Sequence, residues 1–84
     1  MTMTLYVGNL PWSLSEEDLQ RAFAAHVPVK SARVIRDRET GRSRGFGFVE
    51  VENEYGQKAI AALNGAVLGG RPLIVNEAQP RSGR

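Results

Sequence analysis

The sequence contains no cysteine and a single histidine, His26. Without thiols there is no disulfide framework and no cysteine nucleophile, and one imidazole leaves no cluster of ligands for a zinc site. We therefore expect neither a bound metal ion nor a cofactor.

Long apolar runs are missing as well. No stretch approaches the roughly 18–20 apolar residues needed to cross a bilayer, and the N-terminal segment Met1–Thr4 is too polar for a signal peptide. We expect no membrane partner and a cytoplasmic location.

The composition is that of one small folded domain, with 42% hydrophobic and 24% charged residues in 84. We place this domain at residues 1–79 and a short polar, basic tail at residues 80–84. The net charge is only +2, but the segment Lys30–Arg44 holds six basic and two acidic residues, a local charge of +4. This segregation indicates an anionic partner near the middle of the chain.

Apolar spacing and turn residues predict six elements in the order strand, helix, strand, strand, helix, strand. The predicted elements are a strand at Leu5–Leu10, a helix from a Ser15 cap to Pro28, strands at Val29–Arg36 and Gly45–Val51, a helix from an Asn53 cap to Asn64–Gly65, and a strand at Leu73–Val75, with a turn at 68–71. This order is the α+β, ferredoxin-like split β-α-β plan, in which two helices cover one face of a four-stranded antiparallel sheet. The opposite face of the sheet is left uncovered.

Alternation along the strands predicts which residues occupy that uncovered face. In the third strand, burying Phe46 and Phe48 would also bury Glu50, which is rarely buried without a partner. We therefore place Val49 and Val51 in the core. The same test on the other strands predicts an open face that carries Tyr6, Phe46 and Phe48 together with Arg33, Glu50 and Asn76.

Exposed aromatic rings beside arginines suit single-stranded nucleic acid. Unpaired bases stack on aromatic side chains, and arginines contact phosphate oxygens. The alternative interpretation is that the C-terminal tail partly covers the rings.

The third strand also carries a specific motif. The segment Arg44–Val51 resembles the longer signature of the RNA recognition motif, [KR]-G-[FY]-[GA]-F-V-x-[FY], at seven of eight positions, and Leu5–Leu10 is similar to its shorter signature. Val51 replaces the aromatic residue of the last position. The resemblance implies a module that binds single-stranded RNA and has no enzymatic activity.

The resemblance also implies roles for individual residues. Tyr6 and Phe48 would stack on two bases, Phe46 would pack against sugars, and Arg44 would contact phosphate. The full set of predicted RNA-binding residues is Tyr6, Arg33, Arg44, Phe46, Phe48, Asn76, Gln79 and Arg81. Secondary candidates are Asn9, Trp12, Arg38 and Arg42. Of these, Asn9 is also suited to a turn, Trp12 is expected to pack over the domain rim, and Asp37 and Glu39 are available to pair with the loop arginines.

Other functions remain open at this point. Single-stranded DNA is an alternative ligand, since bases of either kind can stack. Protein-binding variants of the family carry Arg-x-Phe before the last strand, where this chain has Arg71-Pro72-Leu73. Acylphosphatases of the same plan need an arginine in the first loop, and 8–15 contains none. Similarity to single-domain bacterial and cyanobacterial members implies a bacterial cytoplasmic monomer that takes no small-molecule substrate.

Overall fold

The computed structural model describes residues 1–78, and of residues 43 and 44 the backbone alone. Within this range the elements are β1 Thr2–Gly8, α1 Glu16–Ala24, β2 Ser31–Arg36, β3 Ser43–Glu52, α2 Asn53–Leu63, β4 Val67–Leu68, β5 Arg71–Pro72 and β6 Ile74–Glu77. The main sheet has the strand order β2-β3-β1-β6, with every neighbouring pair antiparallel. The predicted fold class is confirmed. No helix within residues 1–78 is long and apolar enough to span a membrane.

The start of α1 is fixed by a capping box. The Ser15 hydroxyl accepts from the Asp18 amide at 3.0 Å, and the Asp18 carboxylate accepts from the Ser15 amide at 3.2 Å. The end of this helix differs from the prediction, because it stops at Ala24 rather than running to Pro28. The Phe23 carbonyl accepts from the amides of both residues 26 and 27, which turns the chain and directs Val27 into the core.

The start of α2 also differs from the prediction. Asn53 is the first helical residue and not the cap; the cap position is Glu52, whose side chain makes no capping bond. The Asn53 amide instead donates to the Met1 carbonyl at 2.6 Å, so the N-terminal segment serves this helix end. One turn later, a Cβ atom at Gly56 would overlap the end of the Met3 side chain, so the glycine leaves the space that this flexible side chain occupies.

The segment predicted as a simple turn at 68–71 is the tip of a small hairpin. Val67 and Leu68 pair with Pro72 and Arg71 to form the two-stranded sheet β4-β5. Gly69 and Gly70 take φ values of +63° and +84°, which the turn requires. Sequence reasoning missed the two strands because each has only two residues.

The core lies between the helices and one face of the main sheet. Both helices contribute buried apolar residues to the same cluster as the inward residues of the strands. The central strands supply Leu5, Val7, Val49 and Val51, β6 supplies Val75, and the helices supply Leu19, Phe23, Ala59 and Leu63. The predicted inward positions are confirmed, including Val51, where the family signature has an aromatic residue.

On each edge strand of the main sheet, one backbone amide donates to a side chain at a helix end. On edge strand β2, the Val34 amide donates to the Glu16 carboxylate at 3.0 Å. On edge strand β6, the Val75 amide donates to the Asn64 side-chain oxygen at 2.9 Å. Because unpaired edge amides are where a further strand adds, these contacts oppose extension of the sheet.

Candidate nucleic-acid interface

The open face of the sheet is organised around Phe48. In the strand registers, Phe48 lies opposite Arg33 of β2 on one side and opposite Tyr6 of β1 on the other, and Tyr6 lies opposite Asn76 of β6. These four residues form one row across all four strands, on the face that neither helix covers. Four of the residues predicted to bind RNA are therefore adjacent.

The three rings of the open face form a contiguous group. Their centroids are 5.8 Å apart for Tyr6 and Phe46, 6.1 Å for Tyr6 and Phe48, and 6.0 Å for Phe46 and Phe48. Phe48 meets both neighbours edge-on. Each ring covers part of the others, and all three are half-buried rather than fully exposed. They are nevertheless outside the core, as predicted.

Gly8 sets the position of the Tyr6 ring. A Cβ atom at residue 8 would lie 2.7 Å from Tyr6 Oη and 2.9 Å from Cε2. The ring therefore lies along β1 over Gly8, in space that any other residue would occupy. Sequence reasoning missed this contact, although the small residue two positions after the tyrosine is its signal.

Ile74 is a further apolar residue on the open face that sequence reasoning missed. It pairs with Gly8 and is 49% exposed, while its neighbours Leu73 and Val75 are buried. The alternation that placed Asn76 on the open face also places Ile74 there. The apolar surface consequently extends from the rings onto β6.

Two depressions flank Phe48. One is lined by Tyr6, Phe48, Asn76, Glu77 and Ala78, and the other by Thr4, Ser31, Arg33, Phe48 and Glu50. Both are open to solvent and both combine an aromatic wall with polar groups. Phe48 is thus shared by two neighbouring places where a flat group could lie.

The basic loop between β2 and β3 presents its arginines to solvent. Arg38 and Arg42 are exposed. The Asp37 carboxylate accepts from the backbone amides of residues 39 and 40, at 2.8 and 3.2 Å, which holds the loop in a turn. No ion pair between described side chains involves Asp37 or Glu39. Within that range, the loop arginines keep their charge available.

Two secondary candidates in the loop after β1 behave differently. The Asn9 side chain donates to the Pro72 carbonyl at 2.7 Å, and its φ of +62° fits a turn, so the structure gives Asn9 a structural contact. Trp12 is 67% exposed, and the predicted packing over the domain rim is wrong. The neighbouring residue Pro11 lies against Gly69 in the hairpin turn.

An ion cluster closes the far end of the open face. Lys30 Nζ lies 3.0 Å from Glu52 Oε2 and also donates to the Thr2 hydroxyl at 2.8 Å. The N-terminal amine lies 3.4 Å from Glu52 Oε1. The hydrogen bond and charge of Lys30, followed by those of the N-terminus, lower the pKa of the Glu52 carboxyl below its ordinary value of 4.5.

Metal chemistry has no support in the described range. Residues 1–78 contain no group of three or more histidine, aspartate or glutamate side chains placed to hold an ion. The candidate site is an uncovered surface that carries three aromatic rings beside Arg33 and Asn76. Its rings can stack on flat groups, and its polar side chains can form hydrogen bonds with a flexible anionic chain.

Comparison with known families agrees with this geometry. The family model described as "RNA recognition motif" matches residues 5–74, which include both signature segments and end at the first residue of β6. The chain belongs to this family. RNA recognition motifs are binding modules, and the prediction that the chain is not an enzyme is confirmed.

Curated relatives of this RNA recognition motif include chloroplast and cyanobacterial proteins. RNA-binding protein CP31B, chloroplastic, of Arabidopsis thaliana is 54% identical over 95% of the chain, which spans 28% of that protein. Putative RNA-binding protein RbpA of Synechocystis is 52% identical over 98% of the chain, which spans 82% of it. The chain thus spans less than a third of the length of the chloroplast relative and most of the length of the cyanobacterial relative.

Solved structures share the fold closely. The crystal structure of RNA binding protein PG1 has a TM-score of 0.86 and 50% identity, covering 96% of this chain and 99% of that one. The complex of the Sex-lethal protein with RNA has a TM-score of 0.81 and 37% identity, covering 89% of this chain and 47% of that one. The second comparison is to a protein whose RNA ligand is present.

Three predicted RNA-binding positions of this RNA recognition motif are not placed by the geometry. The side chain of Arg44, and the residues Gln79 and Arg81, lie outside the described residues. Their predicted phosphate and base contacts stay predictions. The described part of the site consists of Tyr6, Phe46, Phe48, Arg33 and Asn76, with Gly8 and Ile74 added by the structure.

Proposed function

We propose that this chain binds single-stranded RNA on the open face of its sheet. The observation that carries the proposal is the row formed by Arg33, Phe48, Tyr6 and Asn76, which places two stackable rings between a cation and an amide on an uncovered surface. Bases in a duplex are already stacked and cannot reach such rings, so the ligand is unpaired.

The expected affinity follows from the contacts available. Stacking contributes about 1–3 kcal/mol per base, and arginines add phosphate contacts. Two stacked bases with two or three phosphate contacts give a Kd near about 1 μM, which corresponds to roughly −8 kcal/mol. Binding of this strength suits a single module on a short stretch of RNA.

Relatives support RNA rather than DNA as the ligand. CP31B, RbpA and PG1 carry RNA-binding names, and the Sex-lethal structure holds RNA on the same fold. The chemical distinction rests on the 2′-hydroxyl, which RNA alone offers as a donor and acceptor. We propose RNA as the preferred ligand and treat single-stranded DNA and a protein partner as outcomes of the experiment below.

Three further predictions belong to this proposal. We propose a monomer, which the occupied amide on each edge strand supports, and a domain that ends at residue 79. We also propose a location in a bacterial cytoplasm. The cyanobacterial relative supports it, while the chloroplast relatives support a plastid instead.

The test is a fluorescence anisotropy titration of the chain with labelled oligonucleotides of eight nucleotides. We expect micromolar binding to single-stranded RNA of mixed sequence, weaker binding to the matching DNA strand, and little binding to the RNA duplex. The double substitution Phe46→Ala with Phe48→Ala should abolish binding while circular dichroism shows an intact fold, because both rings lie outside the core.

Three results would contradict the proposal. Equal binding of the duplex and the single strand would mean that charge alone attracts the ligand. An unfolded double variant would mean that the rings hold the fold together. Capture of a protein partner that survives loss of both rings would point to the protein-binding alternative.

A further inference from the structure

The second depression beside Phe48 has a polar floor of defined composition. Its residues come from three neighbouring strands: Ser31 and Thr4 both lie opposite Glu50 in their registers, and Arg33 lies opposite Phe48. A row of hydroxyl, carboxylate and hydroxyl groups therefore lies directly beside the row of rings.

Glu50 is the unusual member of this row. It is exposed on a face that we propose meets an anion, and no ion pair between described residues involves it. Its Oε1 accepts from the Ser31 hydroxyl at 3.0 Å. By contrast, Glu52 on the same face is held by Lys30 at 3.0 Å and by the N-terminal amine.

A carboxylate in this position selects the group that can approach it. Phosphate is repelled, and an ionised carboxylate only accepts hydrogen bonds. The approaching group must therefore be a hydrogen-bond donor, which in RNA is a donating base edge or a 2′-hydroxyl. Guanine offers two parallel donors, N1–H and the 2-amino group, which match the two carboxylate oxygens. Uracil offers one N–H flanked by two carbonyl oxygens, which the carboxylate repels.

The depression is within reach of a stacked base. Residues two apart on a strand lie about 7 Å apart and point to the same face, so Glu50 is one such step from Phe48. A base that lies on the Phe48 ring and extends toward Ser31 brings its hydrogen-bonding edge to this carboxylate. The Ser31 contact holds Glu50 in place before the base arrives, which reduces the entropic cost of binding.

We propose that Thr4, Ser31, Arg33 and Glu50 form a base-reading subsite that prefers guanine, with Glu50 as the residue that determines the preference. This inference rests on the proposed binding of single-stranded RNA. It adds a selectivity that stacking alone does not give, because every base has an aromatic face.

The experiment uses labelled oligo(U) octamers that carry a single guanine at each position in turn, with all-uracil RNA as the reference. We expect the wild-type chain to bind at least one guanine-containing octamer about 5–150-fold more tightly than oligo(U), since a good paired contact discriminates by about 1–3 kcal/mol. The variant Glu50→Gln should reduce this preference below about twofold. The side-chain amide in the Glu50→Gln variant can still accept a hydrogen bond from Ser31 and can also donate one to a uracil carbonyl, so the variant no longer disfavours uracil.

The matched control is Glu54→Gln, which removes the same charge from an exposed residue of α2. This control should leave the guanine preference unchanged. If Glu50→Gln and the wild type discriminate guanine from uracil equally, the subsite is refuted while RNA binding stands. If octamer binding is also insensitive to Phe48→Ala, the proposed function itself fails.

Discussion

The two faces of β3 differ in a way that hydrophobicity does not explain. On the helix side, Val49 and Val51 are completely buried, whereas on the other side the larger rings of Phe46 and Phe48 are only partly buried. Full exposure of a large apolar side chain forgoes roughly 1.5–3 kcal/mol, and partial exposure forgoes a fraction of that free energy. This arrangement buries the smaller valines and leaves the larger phenylalanines partly exposed. It is therefore explained better by contact with a ligand than by the stability of the fold.

The largest expected effect comes from replacing one phenylalanine in the core and one on the open face by alanine and comparing the two variants. Phe23→Ala removes a fully buried ring and should cost about 3–5 kcal/mol of unfolding free energy. Phe48→Ala should change that free energy by about 1 kcal/mol or less, yet weaken RNA binding about 10–100-fold. Urea denaturation and anisotropy titration measure the two effects, and equal destabilisation by both variants would erase the difference between the faces.

A smaller effect is expected from Gly8→Ala. The added methyl group would displace the Tyr6 ring from its place along β1 without entering the core. We expect RNA binding to weaken by about 3–10-fold, which is about 0.6–1.4 kcal/mol. In a double-mutant cycle, adding Gly8→Ala to Tyr6→Ala should cause no further loss. An additive loss would show that Gly8 acts independently of the ring.

The salt dependence of RNA binding tests whether basic residues on the open face of the sheet contribute more than basic residues on the helix side. Three phosphate contacts on a single strand predict a slope of log K against log salt of roughly −2, at about −0.7 per contact. Arg33→Gln on the open face should weaken binding a few-fold and make the slope shallower by one such step. Arg21→Gln, on exposed α1, is the control and should change neither. The same shift in both variants would indicate nonspecific charge attraction.

The smallest effect concerns the ion cluster at the end of the open face. Because contact with Lys30 lowers the pKa of Glu52 in the folded chain, its stabilising contribution is present above about pH 4.5 and is lost as the pH falls through the lowered value. Glu52→Gln should therefore lower the melting temperature slightly at pH 7, and by less as the pH falls and the Glu52 carboxylate becomes protonated. A difference between wild type and variant that is as large at pH 2.5 as at pH 7 would mean that something other than ionisation causes it.

The sheet faces and most of the site follow from local rules in the sequence. One charged or amide residue per strand, such as Glu50 in β3 or Asn76 in β6, is enough to assign the face of its neighbours. The capping residues of α1 are likewise readable, because Ser15 and Asp18 contact each other within one turn.

The features that sequence reasoning missed depend on contacts between distant residues. Pro11 lies against Gly69 of the distant hairpin turn, and the amide of the first residue of α2 donates to the carbonyl of Met1. Neither contact has a signal in the local pattern. The β4-β5 hairpin was missed for another reason, since two-residue strands carry no alternation.

The number of strands in the main sheet limits the number of nucleotides that one copy of the chain can contact. Glu16 and Asn64 each occupy one backbone amide on an edge strand, which opposes the addition of a fifth strand to the four-stranded sheet. Four strands at about 4.8 Å spacing leave room for about two or three nucleotides. A longer RNA would therefore bind several separate copies of the chain along its length. Each copy would contact the same small number of nucleotides, because the sheets of neighbouring copies do not join into one larger surface.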